Sequence, residues 1–327
     1  MLKSHKIGAT TIAVAGLIML SACSGSDNDS NQTAESGELT EINVGVIPIV
    51  DVAPLYLGVE EGVFEEHGLE VNLQEAQGGA AIVPGIQAGD FDFGFSNITS
   101  LVIASSQGLP LQIVAPGPNS TGDPDEDFAG VLVPDDSDID TIEDLDGASV
   151  SINTLNNIND TVLREGMSQA GGDPSSMDLV EVAFPDMQSQ VESGNLDGML
   201  VVEPFKTLGE NAGMRSIYAP YAEPTEDLTV AAYFASQQMI ESDPDTVDAF
   251  AAAMRESQQL AEDEPDAAKD IMTSYITIDE DVLPDLTLPS FPQEVNTDSI
   301  ETMIDWSVEY GLVDEKLDVD DMMYQSQ

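Results

Sequence analysis

The chain has 327 residues, with 62 Asp and Glu against 8 Lys and Arg, and its formal net charge is −54. This length is sufficient for one large domain or for two lobes with separate cores. The excess of carboxylates excludes nucleic acid as a partner, because phosphate contacts need Lys and Arg, and it is typical of a surface that stays soluble in high salt.

Residues 1–22 are predicted to form a lipoprotein signal peptide. Lys3 and Lys6 give a positive start, an apolar run follows, and the segment leads into Leu20-Ser21-Ala22-Cys23. These four residues resemble a bacterial lipobox, which implies that Cys23 is lipidated and becomes the first residue after cleavage. The alternatives are an ordinary secretory signal with a chance cysteine and a short transmembrane anchor, although the apolar run is short for a membrane span.

Residues 23–40 are predicted to form a flexible tether, because they are rich in Ser, Gly, Asp, Asn, Glu and Thr and almost free of apolar side chains. Cys23 is the only cysteine in the chain, which excludes an intramolecular disulfide. We therefore expect an extracytoplasmic protein that its lipid anchor alone holds at the cell membrane.

From residue 41 to residue 127, strand patterns alternate with helix patterns, which is typical of a parallel sheet. Strands are expected at 41–47, 69–75, 91–95 and 111–115, and helices at 53–61, around 82–86 and around 101–104. Paired glycines at 78–79 allow close approach of the backbone to a ligand, and polar residues follow the strand at 91–95. Ligands of open α/β sheets bind at the carboxyl ends of such strands.

The second half of the chain repeats this plan after a turn-rich crossing at 116–127. Strands are expected at 129–133, 148–152, 178–182 and 198–202, and helices at 137–144, from the turn at 153–160 through 170, and at 185–194. Asn195-Leu196-Asp197-Gly198 echoes Gly89-Asp90-Phe91-Asp92, which suggests two lobes of like plan with a ligand cleft between them. A strand at 228–235 returns to the first lobe, and helices follow from 243, over 263–274 and over 298–310. Helical spacing predicts a common inner face in the first and last of these helices, formed by Val247, Phe250, Ala251, Met254 and Ala261, and by Ile300, Met303, Ile304 and Val308.

Several short motifs, taken in order, resemble those of a known family. They are Pro54-Leu55-Tyr56, Glu61-Gly62-Val63-Phe64, Gly68-Leu69-Glu70-Val71, Gly89-Asp90-Phe91-Asp92 and Ile142-Glu143-Asp144-Leu145-Asp146-Gly147. Their order and spacing resemble the solute-binding proteins of bacterial ABC importers, in particular the group for nitrate, sulfonates, taurine and thiamine precursors.

This resemblance implies a two-lobed α/β fold of the periplasmic-binding-protein type II. Each lobe would be a mostly parallel sheet flanked by helices, and two crossovers would form the hinge. Lobe 1 is assigned to residues 41–127 and 230–327, and lobe 2 to residues 128–229.

The resemblance also implies a function. A monomeric, lipid-anchored protein would capture a small solute of the nitrate, sulfonate or taurine type and deliver it to an ABC permease in the membrane. The alternative ligand is a pyrimidine or thiamine precursor or another small heterocycle, and an enzyme of the pyrimidine-synthase type on the same fold is the third possibility.

Catalysis is not expected. Beyond the signal peptide the chain has one histidine, His67, in a charged turn, and it has no HExxH, CxxC or P-loop motif. The pyrimidine-synthase relatives of this fold use a cysteine-rich motif and a reactive histidine, and this sequence lacks both. We expect no cofactor and no metal.

The candidate ligand-binding residues are short polar residues in turns that follow predicted strands. They are Asp51, Gly79, Ser96, Asn97 and Thr99 from lobe 1, and Asn156, Asn157, Asn159 and Glu203 from lobe 2. Helix capping is the alternative for the asparagines, and Glu203 could equally stabilise a helix N-terminus through the helix dipole.

The distribution of basic residues limits how a ligand can be held. Residues 24–163 contain no Lys or Arg, so an anion would depend on backbone, hydroxyl and amide donors. A zwitterion or a neutral heterocycle would also accept a contact from Asp51 or Glu203. The residues therefore leave the identity of the solute open.

Overall fold

The computed structural model describes residues 39–325, so the predicted signal peptide and all but the end of the predicted tether lie outside the described residues. Ten strands lie in the described part of the chain. They are β1 (Thr40–Val46), β2 (Leu69–Glu75), β3 (Phe93–Asn97), β4 (Leu111–Pro116), β5 (Ala129–Pro134), β6 (Ser149–Ile152), β7 (Asp178–Glu181), β8 (Gly198–Val202), β9 (Met214–Tyr218) and β10 (Ala231–Ser236).

Twelve α-helices of very different lengths connect and cover these strands within residues 39–325. They are α1 (Ala53–Glu60), α2 (Val63–Glu66), α3 (Gly79–Ala88), α4 (Ile98–Ser106), α5 (Ile158–Gln169), α6 (Phe184–Glu192), α7 (Phe205–Asn211), α8 (Gln237–Ser242), α9 (Pro244–Asp263), α10 (Pro265–Asp270), α11 (Thr297–Glu309) and α12 (Val319–Met322). Short 3-10 turns at Val50–Val52, Pro124–Glu126, Ile142–Leu145, Ile271–Ser274 and Leu283–Asp285 complete the elements.

The strands form two five-stranded sheets of matching plan. The order is β2-β1-β3-β10-β4 in the first sheet and β7-β6-β8-β5-β9 in the second. In each sheet the central strands are parallel, and the one antiparallel strand, β10 or β5, is the strand that arrives from the other sheet. The chain crosses between the sheets at 117–128 and again at 219–230. The predicted two-lobed α/β fold with two crossovers is confirmed, while the residue boundaries of the lobes stay a prediction.

The sequence echo between the two halves has a structural counterpart. Asp92 Oδ2 accepts the backbone N–H of Asn43 at 2.8 Å, just before β3 and beside β1. Asp197 Oδ2 accepts the backbone N–H of Ser149 at 2.8 Å, just before β8 and beside β6. Each aspartate thus fixes the start of a central strand against its neighbour, and the same device serves both sheets.

Some predicted boundaries are wrong, for local reasons. The strand expected at 91–95 is β3, which starts at Phe93, because Gly89 ends α3 with φ +76° and the Phe91 N–H then returns to the carbonyl of Gly85. The strand expected at 228–235 starts only at Ala231. The helix expected at 137–144 is a 3-10 turn at Ile142–Leu145.

The structure also differs from the sequence-based prediction in one interrupted helix and in two elements that were not predicted. The helical run expected over 263–274 breaks after Asp263, since Pro265 has no N–H to continue α9. The helix α7 and the edge strand β9 were not predicted. In β9 only the two end residues, Met214 and Tyr218, are buried, so the alternation of a half-buried strand is incomplete.

Of the C-terminal helices, α9 and α12 pack against the first sheet, and α11 packs against α4. The predicted inner face of α9 is buried, and its Phe250 ring stacks on Phe93 of β3 with centroids 3.9 Å apart. Ile300, Met303 and Ile304 of α11 are buried as predicted. Within residues 39–325, no helix combines the length and the apolarity that crossing a membrane requires.

Candidate functional site

A small cavity, lined by apolar side chains and a few polar ones, lies where the facing edges of the two sheets meet. Its volume is about 20 Å³, which is room for about one water molecule. The cavity lining combines the 3-10 turn after β1, the end of β3, the turn after β6 and the second crossing. The lining residues are Ile47, Ile49, Asp51, Phe95, Asn97, Asn153, Asn157, Ile158, Asn159, Phe184, Val202, Tyr221, Val230 and Ala231.

Four of the predicted site residues, Asp51, Asn97, Asn157 and Asn159, line this one cavity. Asp51 and Asn97 belong to the side of the first sheet, and Asn157 and Asn159 to the side of the second. The fold therefore brings residues that are far apart in the sequence to one cavity. Direct contact with a ligand stays a prediction for each of them.

The asparagines after β6 form one hydrogen-bonded group. Asn157 is the N-cap of α5, and its Oδ1 accepts the backbone N–H groups of Asn159 and Asp160 at 3.0 and 3.3 Å. The Nδ2 groups of Asn157 and Asn159 both donate to Asn153 Oδ1, at 2.8 and 3.0 Å. The Tyr221 hydroxyl donates to Asn159 Oδ1 at 2.6 Å. Asn157 therefore both caps α5 and lines the cavity.

Asn97 connects the two sheets at the cavity wall. Its Oδ1 caps α4 by accepting the backbone N–H of Ser100 at 2.9 Å, and it also accepts the backbone N–H of Ile158 at 3.2 Å. Ile158 is the first residue of α5, on the second sheet's side. One amide oxygen therefore serves the N-termini of two helices that face each other across the cavity.

Asp51 is the acidic residue of the cavity. Its side chain is 2% exposed, and Oδ2 has no hydrogen-bond partner within residues 39–325. Burial raises the pKa of the Asp51 carboxyl to about 7, and a bond from its own backbone N–H only partly opposes this. Asp51 therefore changes protonation state close to neutral pH.

Tyrosines surround this carboxyl group. Burial raises the pKa values of Tyr221, Tyr233 and Tyr275 well above 10.0, and the charge of Asp51 raises each of them further. Tyr275 donates its hydroxyl to the Ile49 carbonyl at 3.2 Å, whereas the Tyr233 hydroxyl is buried with no partner in the described chain. All of these phenols are neutral at physiological pH.

Three other predicted residues are buried but do not line the cavity. A Cβ at Gly79 would lie 1.8 Å from Ser96 Oγ, so the glycine lets the start of α3 pack directly on β3. Ser96 donates to the Asn97 carbonyl at 3.3 Å. Thr99 on α4 shares a hydrogen bond of 3.1 Å with Thr161 on α5, so it connects the two sides without facing the cavity.

The last two predicted residues lie elsewhere. Asn156 is exposed in the left-handed region, with φ +55°, and its N–H points to Asp160 Oδ2 at 3.3 Å. Glu203 is fully buried, and its carboxylate accepts N–H and O–H from Thr207 on α7 and the N–H of Thr287. Burial raises its pKa, while these bonds oppose the shift. Glu203 thus accepts hydrogen bonds from the first turn of α7, and Asn156 lies in a turn. Contact with a ligand stays a prediction for both.

Some residues that line the cavity were not among the predicted ligand-binding residues. Asn153 belongs to the same asparagine-rich turn, so its type and position already pointed to it. Tyr221 lies in the second crossing, which carries no motif, and only the fold brings its hydroxyl to Asn159. Phe184 and Ile47 have apolar side chains that any core position would suit.

A wider groove adjoins the cavity and shares Ile47 and Phe184 with it. Its volume is about 280 Å³. The rings of Phe184 and Phe205 stack in its lining with centroids 5.6 Å apart, and Glu75, the last residue of β2, and Gln77 also line the groove. A ligand that occupied both would meet the polar side chains of the cavity and the aromatic rings of the groove.

Neither a basic cluster nor a metal centre accompanies this site in the part of the chain that the structure describes. No Lys or Arg from residues 39–325 lines the cavity. Arg164 pairs with Asp160, and Lys206 donates to the carbonyl of Asp127. No group of three or more His, Cys, Asp or Glu among these residues is placed to hold a metal ion.

Comparison with known proteins gives a family model and two sequence relatives. The model of the family described as NMT1/THI5 like matches residues 49–268. The nitrate import ATP-binding protein NrtC of Synechocystis sp. is 30% identical over 186 residues, which are 52% of this chain and 27% of that protein. The formylaminopyrimidine-binding protein of Halalkalibacterium halodurans is 24% identical over 199 residues, which are 61% of this chain and 56% of that protein. The chain thus spans less than two thirds of the length of either relative.

Solved structures show the same architecture. The periplasmic aliphatic sulphonate binding protein SsuA of Escherichia coli aligns with a TM-score of 0.72 at 18% identity, over 88% of this chain and 92% of that chain. At this identity the likeness concerns the fold. SsuA and the formylaminopyrimidine-binding protein are named as binding proteins, which agrees with the prediction that this chain is not an enzyme.

Proposed function

The chain belongs to the NMT1/THI5-like family, as its motifs predicted, and we propose that it is the solute-binding protein of an ABC importer. In this role it captures a small solute between its two sheets and delivers it to a membrane permease. The observation that carries the proposal is the small cavity with its asparagines and Asp51, whose walls come from both sheets and from one of the two crossings between them. Such a cavity can open and close by rotation about the crossings.

The solute is proposed to be of the nitrate, sulfonate or taurine type, with a pyrimidine or thiamine precursor or another small heterocycle as the alternative. Nitrate appears in the name of one relative and formylaminopyrimidine in that of another. The Asp51 carboxyl and the rings of Phe95, Phe184 and Tyr221 are observations that favour the heterocycle.

The protein is proposed to act as a monomer outside the cytoplasm, held at the membrane through lipid on Cys23. The support for this placement is the Leu20-Ser21-Ala22-Cys23 sequence after a charged and apolar segment. A lipid anchor keeps a binding protein close to its permease, and stable anchoring needs more than one acyl chain.

Native mass spectrometry of the purified protein and small-angle X-ray scattering test the proposal together. We expect a small molecule to co-purify, and we expect its return to the stripped protein to reduce the radius of gyration, because ligand binds the closed state better. If no small molecule co-purifies and no solute of these classes binds or changes the scattering, the proposed function is wrong.

A further inference from the structure

In the part of the chain that the structure describes, Asp51 Oδ2 lacks a hydrogen-bond donor, whereas the amide oxygens that line the same cavity each have one. Buried carboxylate oxygens are almost always hydrogen-bonded, because an unpaired charged group in a low-dielectric interior is costly. Asn97 Oδ1, Asn157 Oδ1 and Asn159 Oδ1 each accept from a protein donor. Within residues 39–325, Asp51 Oδ2 receives none.

Most donor groups of the cavity already make one hydrogen bond within the protein, although each amide NH₂ group carries two hydrogens. The Nδ2 groups of Asn157 and Asn159 both serve Asn153, and the hydroxyl of Tyr221 serves Asn159. Asn97 Nδ2, by contrast, makes no hydrogen bond to any described residue, although its Oδ1 makes two. The site therefore offers a ligand one unpaired acceptor, Asp51 Oδ2, and several amide N–H groups. Among the cavity asparagines of residues 39–325, the Nδ2 group of Asn97 is the one with both hydrogens free.

The surroundings of Asp51 suit a nitrogen that carries hydrogen or positive charge. Aromatic side chains of Phe95, Phe184 and Tyr221 line the cavity, and no lysine or arginine of the described chain does so. Aromatic faces attract cations and stack on flat heterocycles, whereas a bare anion would meet the Asp51 carboxylate without a compensating charge.

From this geometry we infer that the solute presents an N–H or ammonium group to Asp51 Oδ2 and an acceptor to Asn97 Nδ2. This inference rests on the proposed function, since it names the chemical class of solute for the same cavity. It selects zwitterions that carry an ammonium group and amino-substituted heterocycles, and it sets aside nitrate and sulfonates that have no nitrogen donor.

Matched pairs of probes test this choice, because each pair differs only in the nitrogen donor. Taurine is compared with ethanesulfonate, and 4-aminopyrimidine with 4-methylpyrimidine, by calorimetric titration at pH 7.5. We expect the nitrogen-bearing member of at least one pair to bind at least about tenfold more tightly than its partner, as a hydrogen bond to a charged group allows.

The variant Asp51→Asn should remove this preference. We expect the affinity for the nitrogen-bearing probe to fall at least about tenfold, while the two members of the pair become similar. Asp51→Ser is the second variant, since it removes the charge with a smaller side chain, and circular dichroism confirms that both variants are folded. Asn97→Ala should also lower the affinity for the nitrogen-bearing probe, because it removes the amide that would donate to the acceptor group of the solute.

The outcomes separate this inference from the proposed function. If nitrate or ethanesulfonate binds as tightly as the nitrogen-bearing probes, or if Asp51→Asn leaves every affinity unchanged, the inference is overturned and the binding function stands. If none of these probes binds and no small molecule co-purifies, both are overturned. Identification of a co-purified solute without any N–H or ammonium group would also overturn the inference alone.

Discussion

The carboxylate of Asp127 accepts the backbone N–H of Tyr221 at 2.8 Å and thereby joins the two segments by which the chain passes between the sheets. The same oxygen accepts the N–H of Ala222 at 2.9 Å, and the other oxygen accepts that of Ala129 at 2.8 Å. The Tyr221 hydroxyl reaches Asn159 in the cavity. The hinge and the candidate site are thus connected through one tyrosine.

The first prediction concerns this connection. Asp127→Ala should lower the melting temperature by several degrees, because three buried N–H groups lose their acceptor and each unpaired donor costs roughly 1–3 kcal/mol. Thermal unfolding followed by circular dichroism is the measurement. Asp125→Ala, an exposed aspartate in the same crossing, is the control and should melt like the wild type. Equal melting of the two variants would show that the hinge does not depend on this carboxylate.

The second prediction concerns stability and pH. Because burial raises the pKa of Asp51 from 3.8 to about 7, the neutral form stabilises the fold below about pH 4, and this contribution is lost as pH rises through about 7. Asp51→Asn removes the titration, so its stability relative to the wild type should increase between pH 4 and pH 8. The increase should not exceed roughly 4.5 kcal/mol, at about 1.4 kcal/mol per unit of pKa.

Urea unfolding at several pH values measures this difference in the ligand-free protein. Asp127, whose pKa burial raises to about 6, titrates in both proteins, so only the difference between them reports Asp51. Glu61→Gln, at an exposed position close by in the sequence, is the control. Parallel pH profiles for Asp51→Asn and the wild type would mean that Asp51 is not perturbed by burial.

The third prediction concerns closure. Thr99→Val keeps the shape of the side chain but removes the hydrogen bond to Thr161 across the two sides of the cavity, while Thr161 retains its bond to the Asn157 carbonyl. One such bond is worth roughly 0.5–1.5 kcal/mol, so affinity for the co-purified solute should fall about two- to tenfold. Small-angle scattering should show a more open ligand-free protein. Ser106→Ala, at the exposed end of α4, should change neither quantity.

The fourth prediction separates capping from ligand binding at Asn157. Asn157→Ala should lower both stability and affinity, since the side chain caps α5 and lines the cavity. Loss of an N-cap costs roughly 0.5–2 kcal/mol, which is the destabilisation expected for Asn157→Ala. Asn157→Ser retains an oxygen that can cap the helix, so its melting temperature should stay close to that of the wild type. Its affinity should still fall about tenfold if the amide contacts the solute. Wild-type affinity in Asn157→Ser would assign Asn157 to capping alone.

The fifth prediction concerns the anchor. Cys23→Ser removes the thiol that the lipobox-like sequence provides for lipidation. The variant should be released from the membrane fraction or should keep its signal segment, and metabolic labelling with a fatty acid should lose its signal. Ser21→Thr is a mild control within the same four residues. Full membrane retention with normal processing in Cys23→Ser would contradict the lipoprotein proposal.

The sequence determined the local features of this protein, because they depend on neighbours along the chain. Alternating apolar residues predicted β1 and β2 almost to the residue, and the spacing of Val247, Phe250 and Met254 predicted the buried face of α9. The polar turns after β3 and β6 were visible as Asn97 and Asn157 beside the start of a helix. Each of these signals depends on hydrophobic periodicity or on capping.

Only the tertiary structure decided which polar turns share a cavity and which oxygens remain unpaired. Glu203 and Asn157 have the same signature in the sequence, a polar residue after a strand, yet Glu203 is satisfied by Thr207 and Thr287, whereas Asn157 lines the cavity. Tyr221 reaches Asn159 from a crossing that carries no motif. Hydrogen-bond partners distant in sequence are set by how the two sheets pack, and no local pattern encodes that packing.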